Sequence, residues 1–261
     1  MRITTWNINS VRLRLPLLKR VVAALKPDIV CLQETKADDT VFPIDGVRAL
    51  GFEHVLIRGQ KSYNGVAILS RAKLAEGPRA DWCGRDDCRH IVAHLPGRVE
   101  LHNFYVPAGG DVPDPKANDK FAHKLDFIAA MTEWSKGLAK GRRILVGDLN
   151  IAPLETDVWS HKQLLDVVSH TPVETEGLKA VMAAHGWVDA VRHFVPPEEK
   201  LYTWWSYRNR TWPGDDRGRR LDHVWVAPAM RGQLKSARVL REARGWDTPS
   251  DHVPVTVDVE L

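Results

Sequence analysis

Short apolar runs recur along the whole chain, each cut off by Gly, Pro or charged residues. Ile3 to Ile8, Asp28 to Leu32, Val66 to Leu69, Ile91 to Leu95, Leu101 to Val106 and Ile144 to Val146 come first, and His223 to Ala227 and Val255 to Val259 follow late. Short apolar runs bounded in this way predict buried strands. A different spacing lies between them. Leu17, Leu18, Val21, Val22 and Leu25 recur at helical intervals behind Ser10, which reads as a cap, and Pro27 ends that helix. Phe121, Leu125, Ile128, Ala129 and Met131 give a second helical face, and Gly177 to His185 a third. Strands and helices mixed along the length predict an α/β layered fold. Pro and Gly are spread evenly, with no repeat or low-complexity linker, so one domain spanning residues 1–261 is expected.

Composition narrows the class. Hydrophobic residues make up 44% and charged residues 27%, as in a folded soluble protein. The formal charge of +4 does not announce a polyanionic partner, so any such partner must be read from clustering. No apolar run approaches the roughly 20 residues that cross a bilayer, and no membrane association is expected. The first residues read as a strand, interrupted by polar residues and Pro16 too early for a signal peptide. Cys31, Cys83 and Cys88 are too few for a disulfide scaffold. Cys83 and Cys88 lie near His90, but no fourth zinc ligand follows, and reduced cysteines in a cytoplasmic protein are expected.

The informative residues sit where apolar runs stop. Asn7 and Asn9 end the first run, Gln33 and Glu34 the second, and Asp148 and Asn150 follow Gly147. Asn103 and Tyr105 precede Pro107, Asp222 opens a late run, and Asp251 and His252 precede the last. Any one could simply cap a strand in water. The whole set offers carboxylate and amide oxygens, the hard ligands that Mg²⁺ prefers. It also offers carboxylates and an imidazole to manage protons. No Walker pattern, GxGxxG or Gly-x-Ser-x-Gly elbow is present, so metal-assisted attack by water fits best.

In order along the chain stand Trp6-Asn7-Ile8-Asn9, Leu32-Gln33-Glu34-Thr35-Lys36, Asn103-Phe104-Tyr105-Val106-Pro107 and Gly147-Asp148-Leu149-Asn150. Gly186-Trp187-Val188-Asp189, Tyr202 to Arg208, Arg220-Leu221-Asp222 and Ser250-Asp251-His252-Val253-Pro254 complete the series. This series resembles the exonuclease III family of apurinic/apyrimidinic endonucleases, within the endonuclease/exonuclease/phosphatase superfamily. The resemblance implies a four-layered α/β sandwich, two mixed sheets face to face with helices outside. It implies a Mg²⁺-dependent hydrolase, with Mn²⁺ as a possible substitute, cutting DNA 5′ to abasic sites and trimming 3′ ends. The expected partner is double-stranded DNA with abasic sites or damaged 3′ ends. A monomer is expected, cytoplasmic and associated with the nucleoid when acting on DNA.

The family pattern also assigns roles. Glu34 would bind Mg²⁺ with Asn9 beside it, directly or through water, and Asp251 would support that side. Asp148 would orient and deprotonate the attacking water, with Asn7 and Asn150 holding Asp148, the phosphate or both. Asp222 would fix His252, whose imidazole would donate to a phosphate oxygen. Tyr105 would reach the scissile phosphate or the leaving oxygen. Asp189 reads as structural.

Between residues 200 and 220, Lys200, Arg208, Arg210, Arg217, Arg219 and Arg220 interleave with Tyr202, Trp204, Trp205, Tyr207 and Trp212. Basic groups meet phosphates and aromatic faces meet sugars or bases. Lys36, Trp204, Arg208, Trp212, Arg219 and Leu221 are the DNA-contact candidates, with Trp204 and Leu221 lining the pocket for an extruded abasic sugar. Arg219 stands where relatives often carry Trp or Leu, and Ala108 where they often carry Asn or Gln. Both departures bear on the balance between abasic cleavage and exonuclease action. A superfamily phosphodiesterase for RNA or a lipid head group, and a DNA-binding module without chemistry, are the competing readings.

Overall fold

The computed structural model describes residues 1–209 and 211–261; Arg210 lies outside them. In chain order the strands are β1 (Arg2–Asn7), β2 (Ile29–Gln33), β3 (His54–Arg58), β4 (Val66–Ser70), β5 (Ala75–Glu76), β6 (His90–Leu95) and β7 (Val99–Tyr105). They continue as β8 (Arg142–Asp148), β9 (Val188–Asp189), β10 (Trp204–Trp205), β11 (Gly218–Arg219), β12 (Asp222–Val226), β13 (Leu234–Val239) and β14 (Val255–Val259). The α-helices are α1 (Val11–Leu25), α2 (Ile44–Arg48), α3 (Asp119–Gly137), α4 (His161–Leu164) and α5 (Pro172–His185).

Two six-stranded mixed sheets carry the fold, ordered β13-β14-β1-β2-β4-β3 and β5-β6-β7-β8-β12-β9. Alternation explains how they stack. In β2, Ile29 and Cys31 face the other sheet, where Ile91, Leu101, Ile144, Val146 and Val224 meet them. Val30 and Leu32 face outward, against Leu18, Val21 and Leu25 of α1. On the far side Phe104, Leu145 and Trp225 pack against Phe127 and Met131 of α3 and Leu178 and Val181 of α5. Both faces of each central strand are thus buried, and the sequence reads as unbroken apolar runs rather than alternation. The result is the four-layered α/β sandwich.

All eight expected strands form. The missed β3 and β13 are edge strands with half-exposed residues, so their apolar signal is weak. Ser10 does not cap α1. Its φ is 85° and its side chain makes no capping bond. Backbone bonds from Ser10 N to Glu34 O (2.8 Å) and Val11 N to Thr35 O (3.1 Å) hold that turn instead. Helix α5 starts earlier than its apolar face implied, because Pro172 opens it and Thr171 Oγ1 donates to Glu174 Oε2 at 2.6 Å. All three cysteines are free.

Candidate active site

Topology gathers the polar strand ends. β1 runs parallel to β2, and β7 parallel to β8. Their C-terminal ends deliver Asn7, Glu34, Tyr105 and Asp148 to one rim, where open α/β sheets place ligands. β12 runs antiparallel to β8, so its first residue, Asp222, arrives directly opposite Asp148. Gly147 allows this edge to close. A Cβ there would lie 1.9 Å from the Phe104 carbonyl oxygen, and its φ is +142°.

A continuous hydrogen-bond web follows. Asn7 Nδ2 donates to Asp148 Oδ2 at 2.9 Å and to Glu34 Oε2 at 3.0 Å. Asn150 donates to Asp148 twice, from its backbone N to Oδ1 (2.9 Å) and from Nδ2 to Oδ2 (3.1 Å). His252 Nδ1 meets Asp222 Oδ2 at 2.8 Å, and its Nε2 lies 3.6 Å from Asp148 Oδ2. Asn9 Nδ2 donates to Asp251 Oδ1 at 3.0 Å, and Trp204 Nε1 to Asp251 Oδ2 at 2.9 Å. Asn9, Glu34, Lys36 and Asn150 all have φ between 47° and 55°, a left-handed conformation uncommon outside glycine. At Glu34 and Lys36, which lack the asparagine side chain that tolerates this region, the surrounding structure must hold the backbone in place.

Electrostatics divide the labour. Burial raises the Asp148 carboxyl above its ordinary range, with His252 and Asn7 pulling it back. Burial alone would lower the His252 pKa, but Asp222 and Asp148 outweigh it and push it up to about 10. Burial, then the Glu34 and Asp148 charges, drive the Tyr105 hydroxyl well above its usual value, so it stays a donor. At Asp251 the opposition of His252, Asn9 and Trp204 overcomes burial and keeps the carboxyl low.

Among the described residues of this rim, two places could take a cation. Asp148, Asp222 and His252 present ligand atoms within 4.8 Å of one another. Without a metal, however, His252 Nδ1 is committed to Asp222 at 2.8 Å and the imidazole is held protonated, so its own positive charge fills that corner. The other place lies between Glu34 and Asn9. There the Lys36 ammonium sits 2.8 Å from Glu34 Oε1 and 2.7 Å from Asn9 Oδ1, a cation held by two hard oxygens. That donor set fits Mg²⁺.

A cavity of about 910 Å³ opens over this rim, lined in part by Asn7, Glu34, Tyr105, Asp148, Asn150, Asp251 and His252. Trp204, Arg208, Arg219 and Leu221 line it too, as does Ala108. Trp212 does not; it packs edge-on against the buried Trp205, ring centroids 6.1 Å apart. Arg220 is also withdrawn from any phosphate. It is fully buried and paired with Asp157 and Asp189.

Sequence reasoning missed three supports. Thr203 Oγ1 donates to Asp222 Oδ2 at 2.6 Å and accepts the Leu221 and Asp222 backbone N–H groups. Ser250 Oγ donates to the Asn7 carbonyl at 2.8 Å. Tyr207 OH accepts from Arg14 and Asn9, fixing Asn9 from the outside. Thr203, Tyr207 and Ser250 all sit inside the family-like motifs, and Tyr207 also in the aromatic cluster, but nothing in the sequence pointed to these supporting bonds.

Residues 4–252 match the Endonuclease/Exonuclease/phosphatase family. Exodeoxyribonuclease III of Haemophilus influenzae is 29% identical over 98% of both chains. An AP endonuclease from Archaeoglobus fulgidus superposes with a TM-score of 0.92 at 28% identity over the whole of both chains. A 3′ phosphatase from Neisseria, solved with product DNA hairpin, superposes with a TM-score of 0.89 at 35% identity, again over both whole chains.

Proposed function

Because the chain belongs to the endonuclease/exonuclease/phosphatase family, in its exonuclease III branch, we propose that it is a Mg²⁺-dependent DNA repair hydrolase. Its substrates are duplexes with abasic sites, cut on the 5′ side, and 3′ ends, which it trims. Residues 1–261 act as one catalytic domain. The observation that carries this reading is the convergence of Glu34, Asn7, Asp148, Asp222 and His252 in one hydrogen-bonded web.

A phosphodiester resists water because its anionic oxygens repel nucleophiles and its alkoxide leaves poorly. Enzymes remove roughly 8–23 kcal/mol from such barriers. Asp148, raised by burial, takes the proton from the attacking water. Asn7 and Asn150 fix both its oxygens, so the lone pair that accepts the proton keeps one direction. His252 has its Nδ1 committed to Asp222, which leaves Nε2–H to bond a phosphate oxygen as charge builds there. Tyr105, held protonated, donates to the scissile phosphate or to the leaving oxygen. Mg²⁺, held by Glu34 with Asn9 and Asp251 beside it, would neutralise charge on the phosphate and the departing oxygen. Arg208, Trp204 and Leu221 hold the DNA around the cavity.

The direct test is an end-labelled abasic duplex incubated with Mg²⁺ or with chelator, beside RNA and a lipid phosphodiester. Cleavage 5′ to the abasic site, abolished by chelator, is expected. A preference for the RNA or the lipid would overturn the substrate assignment.

A further inference from the structure

The sugar slot of this site contains a cation that an apolar slot does not need. Arg219 and Trp204 are register partners across β10 and β11, and Trp204 bridges His252 on its other side. Two strand spacings, about 10 Å, therefore separate the Arg219 backbone from that of the catalytic imidazole. The guanidinium lies over the Trp204 ring, 5.2 Å from its centroid. Its Nη1 donates to Val168 O and to Ser169 Oγ, each at 2.8 Å.

Those two acceptors do not flex freely. The Ser169 backbone N–H donates to both oxygens of Glu174, and Glu174 in turn is paired with Lys124, both side chains fully buried. Lys124 also donates to the Asn150 and Ala108 carbonyls, so the same buried pair braces the catalytic loop and the slot wall. Arg219 is thus clamped in position from strand to loop.

Its charge is left over. Among the described residues no carboxylate forms an ion pair with Arg219, and its buried Nε–H has no partner. Glu174, the one acidic group that reaches it electrostatically, is engaged by Lys124. A fixed guanidinium with unused donors, stacked on an indole, matches phosphate geometry.

Resting on the nuclease reading above, we propose that Arg219 is a specificity-determining residue. It makes the slot beside Trp204 a receptor for an anionic 3′ terminus, a terminal phosphate monoester above all, and a poor one for a neutral abasic sugar. A monoester carries about −1.5 to −2 charges at neutral pH against −1 for a diester, so it gains more from this cation. An abasic sugar offers the guanidinium no charge, and to stack on Trp204 it must displace Arg219 from Val168 and Ser169.

The test compares the full-length wild type with R219Q and R219K on three duplexes: a nick ending in 3′-phosphate, an internal abasic site, and an unmodified recessed 3′ end. For R219Q, kcat/KM for 3′-phosphate removal should fall at least tenfold more than that for abasic incision. R219K, which keeps the charge without the fork, should lie between. Inorganic phosphate should compete with the 3′-phosphate substrate less well in R219Q than in the wild type. Thermal melting checks folding; should R219Q fail to fold, R219K must still shift the ratio in the same direction by about threefold. Equal losses on all duplexes, or no loss on 3′-phosphate, would overturn the assignment while leaving the nuclease reading intact. A wild type inert on all three would instead remove the nuclease reading, and this inference with it.

Discussion

Asp148 and Asp222 face each other as register partners across β8 and β12, two buried carboxylates on neighbouring strands. Like charges set directly opposite destabilise a sheet. His252 resolves the conflict by lying between them as an imidazolium, 2.8 Å from Asp222 and 3.6 Å from Asp148. Removing it with H252A leaves both carboxylates without their cation and should cost about 3–5 kcal/mol. The sign with pH follows from the raised His252 pKa. Its contribution is whole below about pH 6.5 and fades as pH climbs toward 10. Urea melts of wild type and H252A at pH 7 and pH 9.5 measure this; a deficit no smaller at the higher pH would count against the imidazolium.

Asp148→Asn keeps the size of the side chain and its bond from Asn7 but removes the proton acceptor. Turnover on abasic duplex should drop by about 10²–10⁴-fold, the usual worth of a positioned base. Affinity for the same duplex should hold or rise. Gel-shift binding in Ca²⁺ and single-turnover cleavage in Mg²⁺ separate the two, and a mutant that turned over like the wild type would end the role assigned to Asp148.

His223 predicts an acid weakness away from the chemistry. It is fully buried in β12, its Nε2–H donates to the Ile151 carbonyl at 2.9 Å, and its Nδ1 has no partner. Burial, with Arg220 nearby, lowers its pKa to about 4. The unfolded chain therefore binds the extra proton first, and stability falls as pH drops from about 6.5 toward 4, by about 3 kcal/mol in all. H223Q should flatten that part of the stability curve in chemical denaturation; an unchanged slope would show that other groups set it.

Much of this was legible because polar residues interrupting apolar runs stand out in one dimension. Asn7, Glu34, Asp148 and Asp222 are visible as strand ends; parallel pairing sets Asn7 beside Glu34 in one sheet, and stacking of the second sheet brings Asp148 to them. What stayed hidden depends on partners remote in sequence. Arg220 looks like its basic neighbours until Asp157 and Asp189 close on it from other segments. Trp212 looks like its aromatic neighbours until Trp205 turns inward to meet it. Thr203 carries no charge, and its value lies in the Asp222 carboxylate and two backbone N–H groups it ties together. Lys124 and Glu174 sit on two helices and reveal their pairing only in three dimensions.

Lys36 holds the oxygens that suit the metal, so the two cations compete. K36M should free Glu34 and Asn9 and tighten Mg²⁺ or Mn²⁺ binding, measured by calorimetry without DNA. A gain of about 1 kcal/mol, or roughly fivefold, fits a half-buried pair of this kind. Weaker metal binding in K36M would instead mean that the ammonium helps to hold Glu34 in its binding orientation.

Salt reports how many phosphates the basic segment reaches. Six cations between residues 200 and 220 would imply a slope of log K against log salt near −5. Of the five that the structure describes, burial of Arg220 and the clamping of Arg219 withdraw two from an extended duplex, while Lys200, Arg208 and Arg217 stay exposed. Lys36, half-exposed at the cavity rim, adds a fourth contact when its metal-side oxygens are taken by another cation. About four contacts give a slope near −3.6 for undamaged duplex, read from equilibrium binding between 50 and 200 mM salt, on the order of tenfold to a few hundredfold in affinity. R208Q should reduce the slope by about one and R220Q should leave it alone, since the latter cation never meets the solvent. A slope in R208Q no shallower than that of the wild type would place the phosphate track somewhere other than this face.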